Sequence, residues 1–283
     1  MPLLQIFEVG GLTLSAKRWG VEGGHPVLAL HGWLDNAASF DFLAPLLSSC
    51  DIVCLDCAGH GRSGQRNFLG AYNIWQDVGE LFAVADQLGW STFSLIGHSR
   101  GAMISFLAAG TFPERITHLN LLEGGVPRMA SANEAPELLA EAIRAVKAAT
   151  NRPRQYYSNF ARAVAVRTKG LFPLAEVDAQ VLALHGVEET EQGFAWSYDP
   201  RLLAGSEVRF SSEQLLAFRE RITASTLVVL AEGGMLLQEH GALELLNAKA
   251  DWQVARLPGG HHHHMHEQAP AVAELIKKHI GCL

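Results

Sequence analysis

Ser94-Leu95-Ile96-Gly97-His98-Ser99-Arg100-Gly101-Ala102 decides the fold, because it sets G-x-S-x-G between an apolar run and a helical pattern. Thr92–Ile96 reads as the strand before it, and Met103, Ile104, Leu107 and Ala108 continue as one face of a helix. A serine on a sharp strand-to-helix turn takes a strained backbone, so its neighbours two residues away on either side must be small. The hydroxyl then projects above the sheet, with a helix N-terminus behind it to favour developing negative charge. The chain holds 27 glycines, so a chance match is the competing reading. The flanking strand and helix argue against it.

Outward from this turn, short apolar runs alternate with helical patterns, as in βαβ units around a parallel sheet. Gln5–Val9 and Leu12–Trp19 read as an opening hairpin about Gly10-Gly11. Pro26–Leu30, Asp51–Leu55, Thr117–Leu122, Leu227–Ala231 and Trp252–Leu257 complete a mostly parallel eight-stranded α/β sheet flanked by helices, among them Asn73–Leu88 and Pro270–Ile280. The alternation fails from about Val126 to Ser225, where no strand stands out. Pro136–Thr150, Pro153–Arg167 and Pro173–His185 read there as helices, each with proline at its start. The simplest organisation is a core domain over 1–125 and 226–283, with a helical cap over 126–225 inserted after strand six.

A serine hydroxyl needs a neighbouring base, and in this architecture the order along the chain is serine, acid, histidine. The base therefore belongs after the last strand, where Gly259-Gly260-His261-His262-His263-His264-Met265-His266 stands. His261, directly after the glycines, is best placed to turn back over the sheet edge; His262 and His263 are the alternatives. A solvated histidine tract able to bind nickel or zinc is a further reading of His262–His266, compatible with His261 as base.

The net charge of -7 and pI near 6.0 argue against nucleic acid or an anionic membrane surface as partner. No apolar stretch nears the roughly 20 residues of a membrane helix, and the first residues lack a signal-peptide pattern. Four cysteines, Cys50, Cys54, Cys57 and Cys282, are too few for a disulfide framework and suit a reducing cytoplasm. Cys54 should pack as a small hydrophobe, and Cys57 has no second pair at zinc spacing.

Along essentially its whole length the sequence resembles the α/β-hydrolase superfamily. His31-Gly32-Trp33 follows the third strand and Asp56-Cys57-Ala58-Gly59-His60-Gly61-Arg62-Ser63 the fourth. Within the superfamily it is similar to the serine hydrolase-like proteins, through Asn120-Leu121-Leu122-Glu123, Asp199-Pro200-Arg201-Leu202 and the Gly-His-x-x-His-Met pattern at Gly260–Met265. The resemblance implies that the backbone N–H groups of Trp33 and Arg100 form an oxyanion hole. His31 is expected to hold its loop, and Asp56 to brace the loop after it.

The acid departs from the commonest pattern. The expected aspartate position after the seventh strand, in Leu230-Ala231-Glu232-Gly233-Gly234-Met235, holds Gly234. Glu123, closing strand six where the resemblance places the acid of some relatives, and Glu232 are the two substitutes. Glu123 is favoured, both because the resemblance implies an acid there and because the end of strand six reaches the same histidine from the neighbouring side.

The expected chemistry is ester hydrolysis of a small, largely apolar molecule through an acyl-enzyme, with Ser99, His261 and Glu123 as triad and no metal, flavin or nucleotide required. Lactonase, thioesterase and C–C bond hydrolase share this triad. A non-catalytic ligand receptor on the same fold is the alternative of another class. Tyr156, Tyr157, Phe160, Phe172, Phe194 and Trp196 are candidates to line the pocket, with packing between cap helices the expected role of most of them; Arg144, Arg154, Arg162 and Arg167 are candidates to meet a carboxylate, with a solvated helix face the expected place of most. The oligomeric state has no signature in the sequence.

Overall fold

In the computed structural model, which describes residues 1–169, 172–238 and 251–282, each of these apolar runs becomes a strand. The strands are β1 (Leu3–Val9), β2 (Leu12–Gly20), β3 (His25–Leu30), β4 (Cys50–Leu55), β5 (Phe93–His98), β6 (Ile116–Leu122), β9 (Ser225–Ala231) and β10 (Gln253–Leu257). They form one eight-stranded sheet in the order β1-β2-β4-β3-β5-β6-β9-β10. Only the opening strands are antiparallel: β1 with β2, and β2 with β4. The expected mostly parallel α/β sheet is the one observed.

Continuously apolar strands arise because both faces are covered. Leu28, Leu30, Val53, Leu55 and Leu95 point to one side, where Val78, Leu81 and Phe82 of α1 (Ile74–Gln87) and Ile104 and Leu107 of α2 (Arg100–Thr111) meet them. Val27, Ala29, Ile52, Cys54, Ile96 and Val229 point to the other, against Val272, Ala273 and Ile276 of α7 (Ala269–Ile280). Cys54 is fully buried there, as its place in the apolar run implies. Gln76 Oε1 caps α1 by accepting the Asn73 N–H, and Pro270 lies in the first turn of α7.

Between β6 and β9 lie α3 (Ala135–Thr150), α4 (Phe160–Ala165), α5 (Glu176–Gly186) and α6 (Ser212–Arg221). Two expectations need correction. The second helix starts at Phe160, not Pro153, because the Asn159 side chain caps it by accepting the Arg162 N–H and Tyr157 exchanges backbone hydrogen bonds with Phe194. The third starts at Glu176, three residues after Pro173.

The interval also contains a hairpin, β7 (Val187–Thr190) with β8 (Gly193–Trp196). Four-residue strands carrying exposed Glu188 and Glu189 leave no alternation to detect. α4 and α5 bury Val164, Ala179, Leu182 and Ala183 against Ala38 and Met265. Leu215 and Ile222, at α6, join the core beneath the main sheet. Among the described residues, no helix is long and apolar enough to cross a membrane.

Candidate active site

Parallel register brings the C-terminal ends of the central strands level: Leu30 pairs with Gly97, His98 with Leu122, and Leu122 with Val229. Side chains just past these ends share one crevice. Among the described non-glycine residues, only Leu34, Ser99 and Glu123 have positive φ, at 59°, 50° and 45°. All three stand at this edge, where strained backbone has a function to serve.

Ser99 occupies the turn between β5 and α2 at φ 50° and ψ −113°. Its glycine neighbours are sterically required. A methyl group on Gly101 would lie 2.0 Å from the Leu30 carbonyl oxygen, and one on Gly97 would lie 2.5 Å from the Gly101 oxygen. The chain thus folds back on itself at the serine with room for backbone alone.

His261 Nε2 lies 2.9 Å from Ser99 Oγ, and its Nδ1 lies 3.5 Å from Glu123 Oε2. The second contact is long for a charge-assisted hydrogen bond, as such contacts often are before substrate binds. Glu123 is anchored independently: Oε1 accepts the Ala231 N–H at 2.8 Å and Oε2 the Met235 N–H at 3.1 Å. Its own N–H donates to Val229 at 3.0 Å.

Gly234 and Glu123 exclude each other in space. A methyl group on Gly234 would fall 2.2 Å from Glu123 Oε2. The carboxylate arriving from β6 therefore fills the volume in which a side chain after β9 would begin. Exposed Glu232 makes no hydrogen bond to His261 among the described residues.

Arg100 is the first residue of α2, so its N–H has no acceptor within the helix. Trp33 lies across Ser99 on the loop after β3, its indole donating to the Leu202 carbonyl at 2.7 Å. Two cavities meet at Ser99, Trp33, Phe172 and His261. The larger, about 430 Å³, is lined in part by Tyr72, Ile74, Trp75, Met103, Phe210 and Leu236. The smaller, about 120 Å³, is polar at its far side, with Asp35, His98, Arg167, Lys169 and His262.

Of the six candidate aromatics, only Phe172 lines these cavities, 4.7 Å from the His261 ring between centroids. Phe160 pairs with Phe194, and Trp196 donates to the Ala163 carbonyl. Among the four arginines, Arg144 and Arg154 pair with Glu137 and Glu188 at the surface, and Arg162 is exposed. Arg167 alone reaches the site, where it binds Asp35 and the Leu34 carbonyl.

The loops behind the site are braced as expected. His31 Nε2 accepts the Cys57 N–H at 3.0 Å. Asp56 accepts the N–H groups of Ala37 and Arg62 and faces His185 Nε2 at 2.8 Å. His98 escaped the sequence reading: its Nε2 is 2.8 Å from the His261 carbonyl oxygen, which holds the histidine loop against the elbow. It occupies a variable position of the motif, so residue type carried no signal. Asp35, two residues past Trp33, escaped for the same reason.

The histidine run is not a solvated tract. His263 and His264 are buried and His262 is half-buried. Burial pushes the His264 imidazole well below its ordinary range and His263 to about 4. These rings stay neutral in the folded chain while the unfolded chain takes up protons below about pH 6.5. Stability is therefore full above that pH and falls on acidification, by about 3 kcal/mol for His263 once the pH reaches 4. Thermal unfolding from pH 7.5 to 4.5 should show a falling midpoint, with a shallower fall in His263→Leu. Equal slopes in the two proteins would contradict this.

The chain is similar to known proteins over most of its length. The α/β hydrolase fold family matches residues 25–267. Human serine hydrolase-like protein 2 is 32% identical, the alignment covering 95% of this chain and 91% of that protein. A serine hydrolase-like protein of Dictyostelium discoideum is 26% identical over 94% of this chain and 78% of its own length. Among solved structures, the hypothetical protein PA1622 of Pseudomonas aeruginosa PAO1 superposes with a TM-score of 0.94 at 38% identity, covering 98% of this chain and 99% of that one.

Proposed function

The chain belongs to the α/β-hydrolase family and is similar to serine hydrolase-like proteins, and from that premise we propose that it cleaves ester-type bonds through an acyl-enzyme on Ser99. The carrying observation is the contact of 2.9 Å between His261 Nε2 and Ser99 Oγ, at the junction of two cavities.

In this reading Ser99 Oγ attacks the carbonyl carbon while His261 Nε2 takes its proton. Glu123 accepts the Nδ1–H of His261, fixes its tautomer and stabilises the imidazolium that forms. The oxyanion meets the N–H groups of Trp33 and Arg100, each such donor being worth about 3–4 kcal/mol in the transition state. His261 returns its proton to the departing alkoxide. Water, deprotonated by the same ring, then releases the acid and restores Ser99.

The substrate is a small molecule with one bulky, largely apolar arm for the larger cavity and one short arm for the smaller. Residues 126–225 act as a cap in this reading, since Phe172, Leu202 and Phe210 from that interval line the larger cavity together with Ser99. A panel of methyl esters of increasing acyl length, followed by acid release, tests this division. Activity should rise from acetyl toward medium acyl chains and collapse for acids branched beside the carbonyl. Equal rates across the panel, or no turnover of any member, would contradict it.

A further inference from the structure

Behind the serine, two imidazoles and a carboxylate face one another in a way that hydrogen bonding alone does not satisfy. Asp35 Oδ2 lies 3.1 Å from His262 Nε2 and 3.7 Å from His98 Nδ1, and all three atoms lie within 4.8 Å of one another. His98 is fully buried. Its Nε2 serves the His261 carbonyl and so carries the ring proton. Its Nδ1 is then a lone pair aimed toward a carboxylate oxygen, with no hydrogen-bond partner among the described residues. Asp35 is already met by His262 and Arg167, so the unsatisfied atom of the group is His98 Nδ1, and a cation bound between it and Asp35 Oδ2 satisfies it.

We propose that Asp35 Oδ2, His98 Nδ1 and His262 Nε2 form a binding site for a divalent transition-metal ion, zinc foremost. Ligand bonds of about 2.0–2.2 Å in a tetrahedral site place neighbouring donor atoms about 3.3–3.5 Å apart, close to both short distances above. The surroundings match what such ligands require. The other ring nitrogen of His98 is held by a backbone carbonyl, and Asp35 Oδ1 by Arg167.

Space is present as well. A methyl group on Gly32 would come 2.9 Å from both Asp35 Oδ2 and His98 Nδ1, so its absence leaves their common side open. All four residues line the smaller cavity, which gives the ion a fourth position facing solvent or substrate. On binding, the His262 proton moves from Nε2 to Nδ1, so the ring stays neutral. Arg167 and Lys169 line the same cavity and oppose a cation held by charge alone. The ion is kept by direct coordination instead.

Occupancy has a consequence that rests on the hydrolase reading. The His98 and His262 rings lie 4.9 and 5.1 Å from that of His261. A dication between them disfavours the imidazolium that His261 must become, and the reaction at Ser99 slows.

The test is zinc binding by the chelator-treated chain, read by competition with a chromophoric chelator and by the visible bands of low-coordinate cobalt. Wild type and His266→Gln, altered outside the site, should take up one more equivalent than His262→Gln and Asp35→Asn, and only the former pair should show the cobalt bands. Equal uptake in all four, or none in wild type, would overturn the site. In parallel, zinc should slow fluorophosphonate labelling of wild type at least tenfold and leave His262→Gln unchanged. One extra equivalent without slowing would overturn only the link to Ser99.

Discussion

Ser99→Ala is expected to lower kcat/KM for an activated ester by about 10⁴–10⁶-fold, the scale on which a serine nucleophile is lost when no other group replaces it. His261 would keep its ring against the elbow, but its proton would have no oxygen to come from. The residual rate would come from the oxyanion donors and from binding, which the substitution leaves in place. The fold should survive, because removing one hydroxyl group leaves the backbone at φ 50° held by Leu30, Leu122 and the flanking glycines. An unchanged thermal midpoint with collapsed turnover is therefore the expected pair of results. Turnover near the wild-type rate would remove Ser99 from the chemistry.

Glu123→Gln should be nearly as severe, a loss on the order of 10³–10⁴-fold in kcat, because an amide does not fix the histidine tautomer or balance its charge. Glu232→Gln should stay within about twofold, since that residue is exposed and makes no hydrogen bond to His261 among the described residues. The steric exclusion between Glu123 and Gly234 permits a sharper experiment. Gly234→Asp alone should be damaging, because the new Cβ arrives 2.2 Å from the Glu123 carboxylate. In Glu123→Ala that volume is vacant, and adding Gly234→Asp should recover much of the lost kcat by supplying the acid from β9 instead of β6. Failure of the double variant to exceed Glu123→Ala would argue against one shared carboxylate position.

Much of this was legible before any coordinates. The parallel sheet announced itself in β-branched and continuously apolar runs, because strands covered on both faces tolerate little else. Ser99 was legible for a steric reason: Gly97 and Gly101 are demanded by contacts of 2.5 Å or less to backbone oxygens. The place of Glu123 beside His261 was legible from the resemblance, which implies an acid at the end of β6, and from the glycine at 234. The hairpin at 187–196 was not, since two short polar-edged strands have no period. Nor were Asp35 and His98, which meet His262 only because register aligns the ends of β3, β5 and the loop after β10. Which cap aromatic enters the pocket was not legible, because the sequence from 156 to 196 does not say which ring turns toward Ser99; most pack within the cap, as expected. Phe210, Trp75 and Tyr72 line the cavity from other segments.

The central claim is that Ser99 is an activated nucleophile, and intact-mass measurement after fluorophosphonate treatment tests it most directly. Wild type should gain one adduct, mapped to the peptide carrying Ser99, and Ser99→Ala should gain none. No adduct on wild type, or the same adduct on Ser99→Ala, would contradict the account and leave a fold that binds its ligand without cleaving it.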